Sequence, residues 1–252
     1  MKSFLRYVDF LMNTFINYAI IFFIAYPFSI ALGLSLKMAR WIRWVNIIHP
    51  ERIPYCKTGV VLVSNHPSMA DPPIIAGLLF ESYLWNPLKY GPRIASDRKN
   101  INNWWALFWA SNFLIPVDRG TRSDKSPLRM IKALKDYLVI LFIEATRTCN
   151  AKRWRKSPGG HIIGEPKETI GLIVANAYAK GEPIEVIPVF MIGSDRAYPN
   201  YPRWLYHPWI KLRRITVKIG NPIIFPKEVL ERGDRKEITD FVTSKILETA
   251  DE

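Results

Sequence analysis

Charge is missing from one stretch of the chain: the 27 positions from Phe10 to Leu36 hold no Asp, Glu, Lys or Arg, although 23% of the 252 residues are charged. An even distribution would place about six charges there. Cysteine is scarce too. Two residues, Cys56 and Cys149, exclude a disulfide framework and a four-thiolate zinc site. With no thiol partner nearby in sequence, both fit structural roles in a reducing compartment. Acidic residues, 22 against 35 Lys and Arg, leave a formal charge of +13. Several catalytic signatures are also absent: there is no Gly-x-Ser-x-Gly elbow, no His-Glu-x-x-His helix and no Gly-x-x-x-x-Gly-Lys loop. The 49% hydrophobic content rules out a disordered or collagen-like chain. The basic surplus has no nucleic-acid motif beside it, so nucleic acid is not expected as a partner.

The uncharged run would be roughly 40 Å long as one helix, enough to cross a hydrocarbon layer of ~30 Å with tilt. Pro27 interrupts it, however, and basic residues flank both ends, Lys2 and Arg6 before and Lys37, Arg40 and Arg43 after. A simple span should show asymmetry. A bend at Tyr26-Pro27 would instead let two shorter helices enter one leaflet and return, with both flanks on the same anionic surface. The re-entrant or interfacial hairpin is the favoured reading; a single span and a buried soluble helix remain open. A cleaved signal peptide fits poorly, since its apolar core is normally ~7 to 15 residues. Near the other end, Tyr198, Tyr201, Trp204, Tyr206 and Trp209 alternate with Pro199, Pro202 and Pro208 beside Lys211, Arg213 and Arg214. This pattern suits a headgroup layer or a proline-rich loop folded onto the domain.

From residue 55 onward, short β-branched runs alternate with helical patterns. Strands are expected at 59–64, 113–117, 138–143, 183–190 and 215–219. Helices are expected from Asp71 to Phe80, from Asn103 to Ser111, from the Ser126-Pro127 N-cap, from Pro166 to a Gly181 C-cap, and over 234–249. The polar, basic stretch from Thr148 to Glu165 reads as an insertion. The alternation predicts an α/β fold, a mixed, mostly parallel central sheet flanked by helices. The expected division is residues 1–48 as membrane-associated helices and 49–252 as a catalytic domain.

Ligands gather past strand ends in such folds. The first expected strand leads into Asn65-His66-Pro67-Ser68-Met69-Ala70-Asp71. An imidazole with a carboxylate five residues on is a candidate base and orienting partner. On one helix they would point about 140° apart. Pro67 and the Pro72-Pro73 pair make a continuous helix implausible, and a tight turn brings Asp71 back onto His66. Such a pair, with no protein nucleophile, must activate a water or a substrate hydroxyl; otherwise it is two polar loop residues. Two further strands end in Asp118-Arg119-Gly120 and Glu144-Ala145-Thr146-Arg147. Arginines there suit a phosphate ester, or else each pairs with its neighbouring acid.

Asn65-His66-x-Ser68-x-x-Asp71 resembles the NHxSxxD signature of the glycerolipid acyltransferase family, of the 1-acylglycerol-3-phosphate O-acyltransferase type. Three more blocks follow in the family's order: Ile115 to Gly120, Phe142 to Arg147 and Val186 to Val189. The resemblance covers roughly residues 60 to 190. It implies a membrane-bound enzyme with its catalytic domain on the cytoplasmic face, making phosphatidate from lysophosphatidate. Glycerol 3-phosphate or another lysophospholipid is the alternative acceptor, and a thioesterase or lipase the alternative activity. His66 is then the base and Asp71 its orienter. Arg119, Glu144, Thr146 and Arg147 match acceptor-binding positions. No cofactor or metal is implied; acyl-CoA or acyl-carrier-protein is the co-substrate. Ala145 and Ile143 replace the usual Gly and Pro. Ala95 is followed by Ser96-Asp97-Arg98-Lys99 where many members have Ala-Lys, which shifts phosphate contact to Arg98 or Lys99.

Overall fold

The computed structural model describes residues 26–41, 43–68, 70–98, 113–117, 125–144, 148, 151, 153–197 and 214–252. The expected helix at 103–111, the aromatic and proline-rich loop after residue 197, most of the uncharged segment, Lys99 and the site candidates Arg119, Thr146 and Arg147 lie outside the described residues.

Apolar, β-branched runs become strands and periodic runs become helices. In chain order they are α1 (Tyr26–Trp41), β1 (Val45–Ile48), β2 (Val60–Ser64), α2 (Asp71–Leu78), α3 (Phe80–Trp85), α4 (Pro87–Tyr90), β3 (Arg93–Asp97), β4 (Leu114–Val117), α5 (Lys125–Leu134) and β5 (Val139–Phe142). A small hairpin, β6 (Trp154–Lys156) and β7 (Ile162–Gly164), precedes α6 (Thr169–Ala179), β8 (Glu185–Ile192), α7 (Ser194–Ala197), β9 (Ile215–Ile219), α8 (Lys227–Arg232) and α9 (Arg235–Asp251).

The main sheet has the order β1-β9-β8-β2-β5-β3-β4. Neighbours are parallel except β8 and β9, so β1 and β9 run against the other five. This is the mixed, mostly parallel sheet expected. Central β2 is buried at every position, as a strand covered on both faces must be. Its side chains alternate between two cores. Val60 and Leu62 pack with Leu36, Ile75, Leu79 and Phe80 of α1 to α3. Val61 and Val63 pack with Met130, Ile170, Ile173, Ile238 and Val242 of α5, α6 and α9.

Pro27 is the second residue of α1, where a missing N–H does no harm. Gly33 lets Phe80 lie directly against the α1 backbone, where any side chain would collide, and Lys37 pairs with Glu81 at 2.8 Å. Leu36 and Ala39 are buried, while Leu34, Met38 and Trp41 form an exposed stripe. Among the described residues no helix is long and apolar enough to cross a membrane.

Three elements carry little sequence signal. β1 has only four residues, lies ahead of the expected boundary after residue 48, and pairs with β9 at the sheet edge. β3 is half-buried and polar (Arg-Ile-Ala-Ser-Asp). The Thr148–Glu165 insertion contains the hairpin, with Trp154 opposite Gly164 and Lys156 opposite Ile162. Helix limits shift slightly as well. α5 begins at Lys125, so Ser126 and Pro127 fall within its first turn, and Gly181 takes the left-handed conformation (φ 66°) just past α6.

Candidate active site

The parallel strands β2, β5, β3 and β4 end along the same edge of the sheet, so the residues after them share one region. β2 stops at Ser64, and Pro67 keeps the chain out of helix until Asp71 opens α2 with Pro72 and Pro73 in its first turn. That path folds Asp71 back as expected: its Oδ2 lies 3.0 Å from His66 Nδ1 and accepts the Ser68 N–H at 2.6 Å. Asp71 is fully buried and the His66 side chain is 14% exposed. An ionised carboxylate accepts hydrogen bonds only, so it fixes the His66 proton on Nδ1 and leaves Nε2 with a free lone pair. The ring stacks on Phe142 at the end of β5, with centroids 4.3 Å apart and planes 27° off parallel.

The His66 backbone is held on both sides. Its N–H donates to Glu144 Oε1 at 3.1 Å, and its carbonyl accepts the Thr148 N–H at 2.8 Å. The Thr148 hydroxyl donates to the same Glu144 oxygen at 2.8 Å. Glu144 is fully buried, and Gly164 of β7 sits so near that a Cβ there would meet Glu144 Oε2 at 2.5 Å. Among the described residues Oε2 and Asp71 Oδ1 have no hydrogen-bond partner. Burial therefore pushes the Glu144 carboxyl above its usual range. The Thr148 hydroxyl, the His66 amide, the Gly164 amide (which faces the carboxylate without completing a hydrogen bond) and the nearby imidazole act in the opposite direction.

Of the sequence candidates, His66, Asp71 and Glu144 come together. Arg98, exposed, directly follows β3 at the same sheet edge. Ser68, Phe142 and Thr148 were not singled out as site residues, and neither was Asn65 outside its motif. Asn65 and Ser68 stand in the first motif and Phe142 opens the third block, so these three carry a legible signal; Thr148 depends on contacts that no local pattern reveals. Among the described residues no cluster of three or more His, Cys, Asp or Glu could hold a metal.

Asn65 ties β2 to β8: its Oδ1 accepts the Met191 N–H at 2.8 Å and its Nδ2 donates to the Met191 carbonyl at 3.0 Å, all buried. Asn65→Ala strands both Met191 groups, and the expected cost is about 2–4 kcal/mol. At roughly 2–4 °C per kcal/mol for a chain of this size, the midpoint should drop by about 5–15 °C in a thermal melt. A shift under about 2 °C would mean that the clamp contributes nothing net.

A sequence-family model described as Acyltransferase matches residues 44–192, the span from β1 through β8. No curated protein matches the chain at a significant level. Among solved structures, the 1-acyl-sn-glycerophosphate (LPA) acyltransferase PlsC from Thermotoga maritima is similar, with a TM-score of 0.53 and 17% identity over 87% of this chain and 77% of that one. At that identity the likeness concerns the fold.

Proposed function

The chain belongs to the acyltransferase family, and on that footing we propose that it is a membrane-associated O-acyltransferase moving an acyl chain from an acyl-CoA or acyl-carrier-protein thioester to the free hydroxyl of lysophosphatidate. The product is phosphatidate. The observation that carries the reading is the His66–Asp71 pair at the end of β2, with Nδ1 committed to a buried carboxylate at 3.0 Å. The similar Thermotoga maritima protein is an LPA acyltransferase, which favours this acceptor over glycerol 3-phosphate.

In this mechanism His66 Nε2 takes the proton of the acceptor hydroxyl as its oxygen attacks the thioester carbonyl, and Asp71 stabilises the imidazolium that forms. The C–S bond then breaks, the new ester C–O bond remains, and the thiolate takes the proton from His66. Such general-base assistance contributes typically 10² to 10⁴-fold, with positioning and oxyanion stabilisation supplying the remainder. No cofactor takes part. Glu144 acts from behind, holding the His66 backbone together with Thr148. Arg98, Arg119, Thr146 and Arg147 are the proposed contacts for the acceptor's glycerol-phosphate.

Membrane association is supported by the uncharged residues 10–36, and the cytoplasmic face is the side proposed for it. The exposed Leu34, Met38 and Trp41 of α1, beside Lys37 and Arg40, add an interfacial stripe.

The test is incubation of detergent-solubilised protein with labelled acyl-CoA or acyl-carrier-protein, with and without lysophosphatidate, following free thiol and lipid together. Thiol release that requires lysophosphatidate and yields labelled phosphatidate is expected. Free fatty acid formed without acceptor would replace this reading with a thioesterase.

A further inference from the structure

Between Glu144 and α6 the chain makes an excursion that the chemistry at His66 does not require, the β6–β7 hairpin. Its side chains alternate between two faces. One is committed to the body of the protein: Arg155 pairs with Asp240 at 2.6 Å and Ile163 is fully buried. The other presents Trp154, 53% exposed, with Lys156 and Ile162 also exposed. Arg153, exposed, immediately precedes Trp154 in the chain, just ahead of β6. Neither Arg153 nor Lys156 has an ion-pair partner among the described residues.

The indole is not a loose surface ring. Its Nε1 donates to the Thr148 carbonyl at 3.0 Å, and the Thr148 N–H donates to the His66 carbonyl at 2.8 Å. One residue therefore separates Trp154 from the His66 turn, a gap of roughly 10 Å or less. The hairpin itself is fastened to the end of α9, where Asp251 accepts from the Ser157 hydroxyl at 2.7 Å and the Gly159 N–H at 3.2 Å.

We infer that this face binds the phosphorylated adenosine of acyl-CoA, the purine stacking on Trp154 and the phosphates pairing with Arg153 and Lys156. An aromatic face of fixed position, near cations that have no ion-pair partner among the described residues, is what a phosphorylated purine requires. A carrier protein would need complementary charge over a broader surface, and a bilayer a broader apolar one; this face offers one ring, one aliphatic side chain and the Lys156 cation, with Arg153 just ahead of it in the chain. The pantetheine arm then carries the thioester to His66. That direction rests on the proposed acyl transfer, whereas the nucleotide site can be tested without it.

The probe is adenosine 3′,5′-bisphosphate, titrated calorimetrically into the full-length protein in detergent. Saturable binding is expected, weakened by at least ~10-fold in Lys156→Glu and in Trp154→Ala. The preference in kcat/KM for acyl-CoA over the same acyl thioester of N-acetylcysteamine should fall at least ~5-fold in both. Lys156→Glu leaves the Trp154–Thr148 bond in place, so its loss reports ligand contact and not support of His66. Bisphosphate that fails to bind the native protein, or binds both variants as tightly, overturns the inference. So does binding of an acyl-carrier-protein or of phosphatidylglycerol vesicles that these variants abolish while the bisphosphate does not bind. Failure of the acyl-transfer reading has a different sign: no acylated lipid with any donor, whatever the titration gives.

Discussion

His66→Ala is expected to lower kcat for acyl transfer by about 10² to 10⁴-fold while KM changes little. Among the described residues at the end of β2, the imidazole offers a partly exposed nitrogen lone pair for the hydroxyl proton, since Nδ1 is held by Asp71 at 3.0 Å, whereas the unpartnered Asp71 Oδ1 and Glu144 Oε2 are fully buried. The variant should remain folded. The bonds that position the turn, from the residue 66 N–H to Glu144 and from the Thr148 N–H to the residue 66 carbonyl, belong to the backbone and survive the substitution. Asp71 likewise keeps the Ser68 N–H. Parallel assays of thiol release and thermal melting separate the two effects. An unchanged melt with activity within about 10-fold of the native protein would remove His66 from the chemistry.

Glu144→Ala is the second large effect, and it falls on stability and activity together. The substitution leaves the His66 N–H and the Thr148 hydroxyl without their acceptor in a fully buried setting. At about 1–3 kcal/mol for each of the two stranded donors, the loss should be about 2–6 kcal/mol. kcat should also fall, because the turn that carries the imidazole is no longer held. Glu144→Gln separates support from charge, since an amide oxygen can still accept both bonds.

The pH dependence of that second variant has a defined sign. Burial raises the folded carboxyl above its ordinary value of 4.5. Below that value both folded and unfolded chains hold the proton. As pH rises, the unfolded chain releases it first, so the contribution of Glu144 to stability declines until the folded carboxyl has also ionised. Glu144→Gln lacks this term. Melting curves from pH 4 upward should therefore show the native protein losing ground to Glu144→Gln as pH increases. A native protein that instead gains on the variant over that range would mean that Glu144 is held ionised.

The His66–Asp71 turn was legible because its causes are local. β2 reads as a strand because, buried on both faces, it must be apolar throughout, and the prolines at 67, 72 and 73 forbid the helix that would have separated His66 from Asp71. Elsewhere the pattern is thinner. β3 is polar and half-buried, β1 has four residues, and the hairpin strands have three each, too few for a period to register. The insertion after Thr148 could be recognised as polar and basic, but not as a hairpin that fastens to the last turn of α9.

By itself the sequence determined the strands β2, β4, β5, β8 and β9 with the helices α2, α5, α6 and α9 between and after them, the His66–Asp71 pairing and the uncharged amino-terminal segment, since each follows from periodicity, proline geometry or charge within a short window. Only the tertiary structure decided that Glu144 faces the His66 backbone from 78 residues away, that Asn65 clamps Met191 across 126, and that Trp154 is tied through Thr148 to the His66 turn. Those partners meet because parallel strands distant in sequence end side by side, and burial then obliges each polar group to find a partner in space and not along the chain.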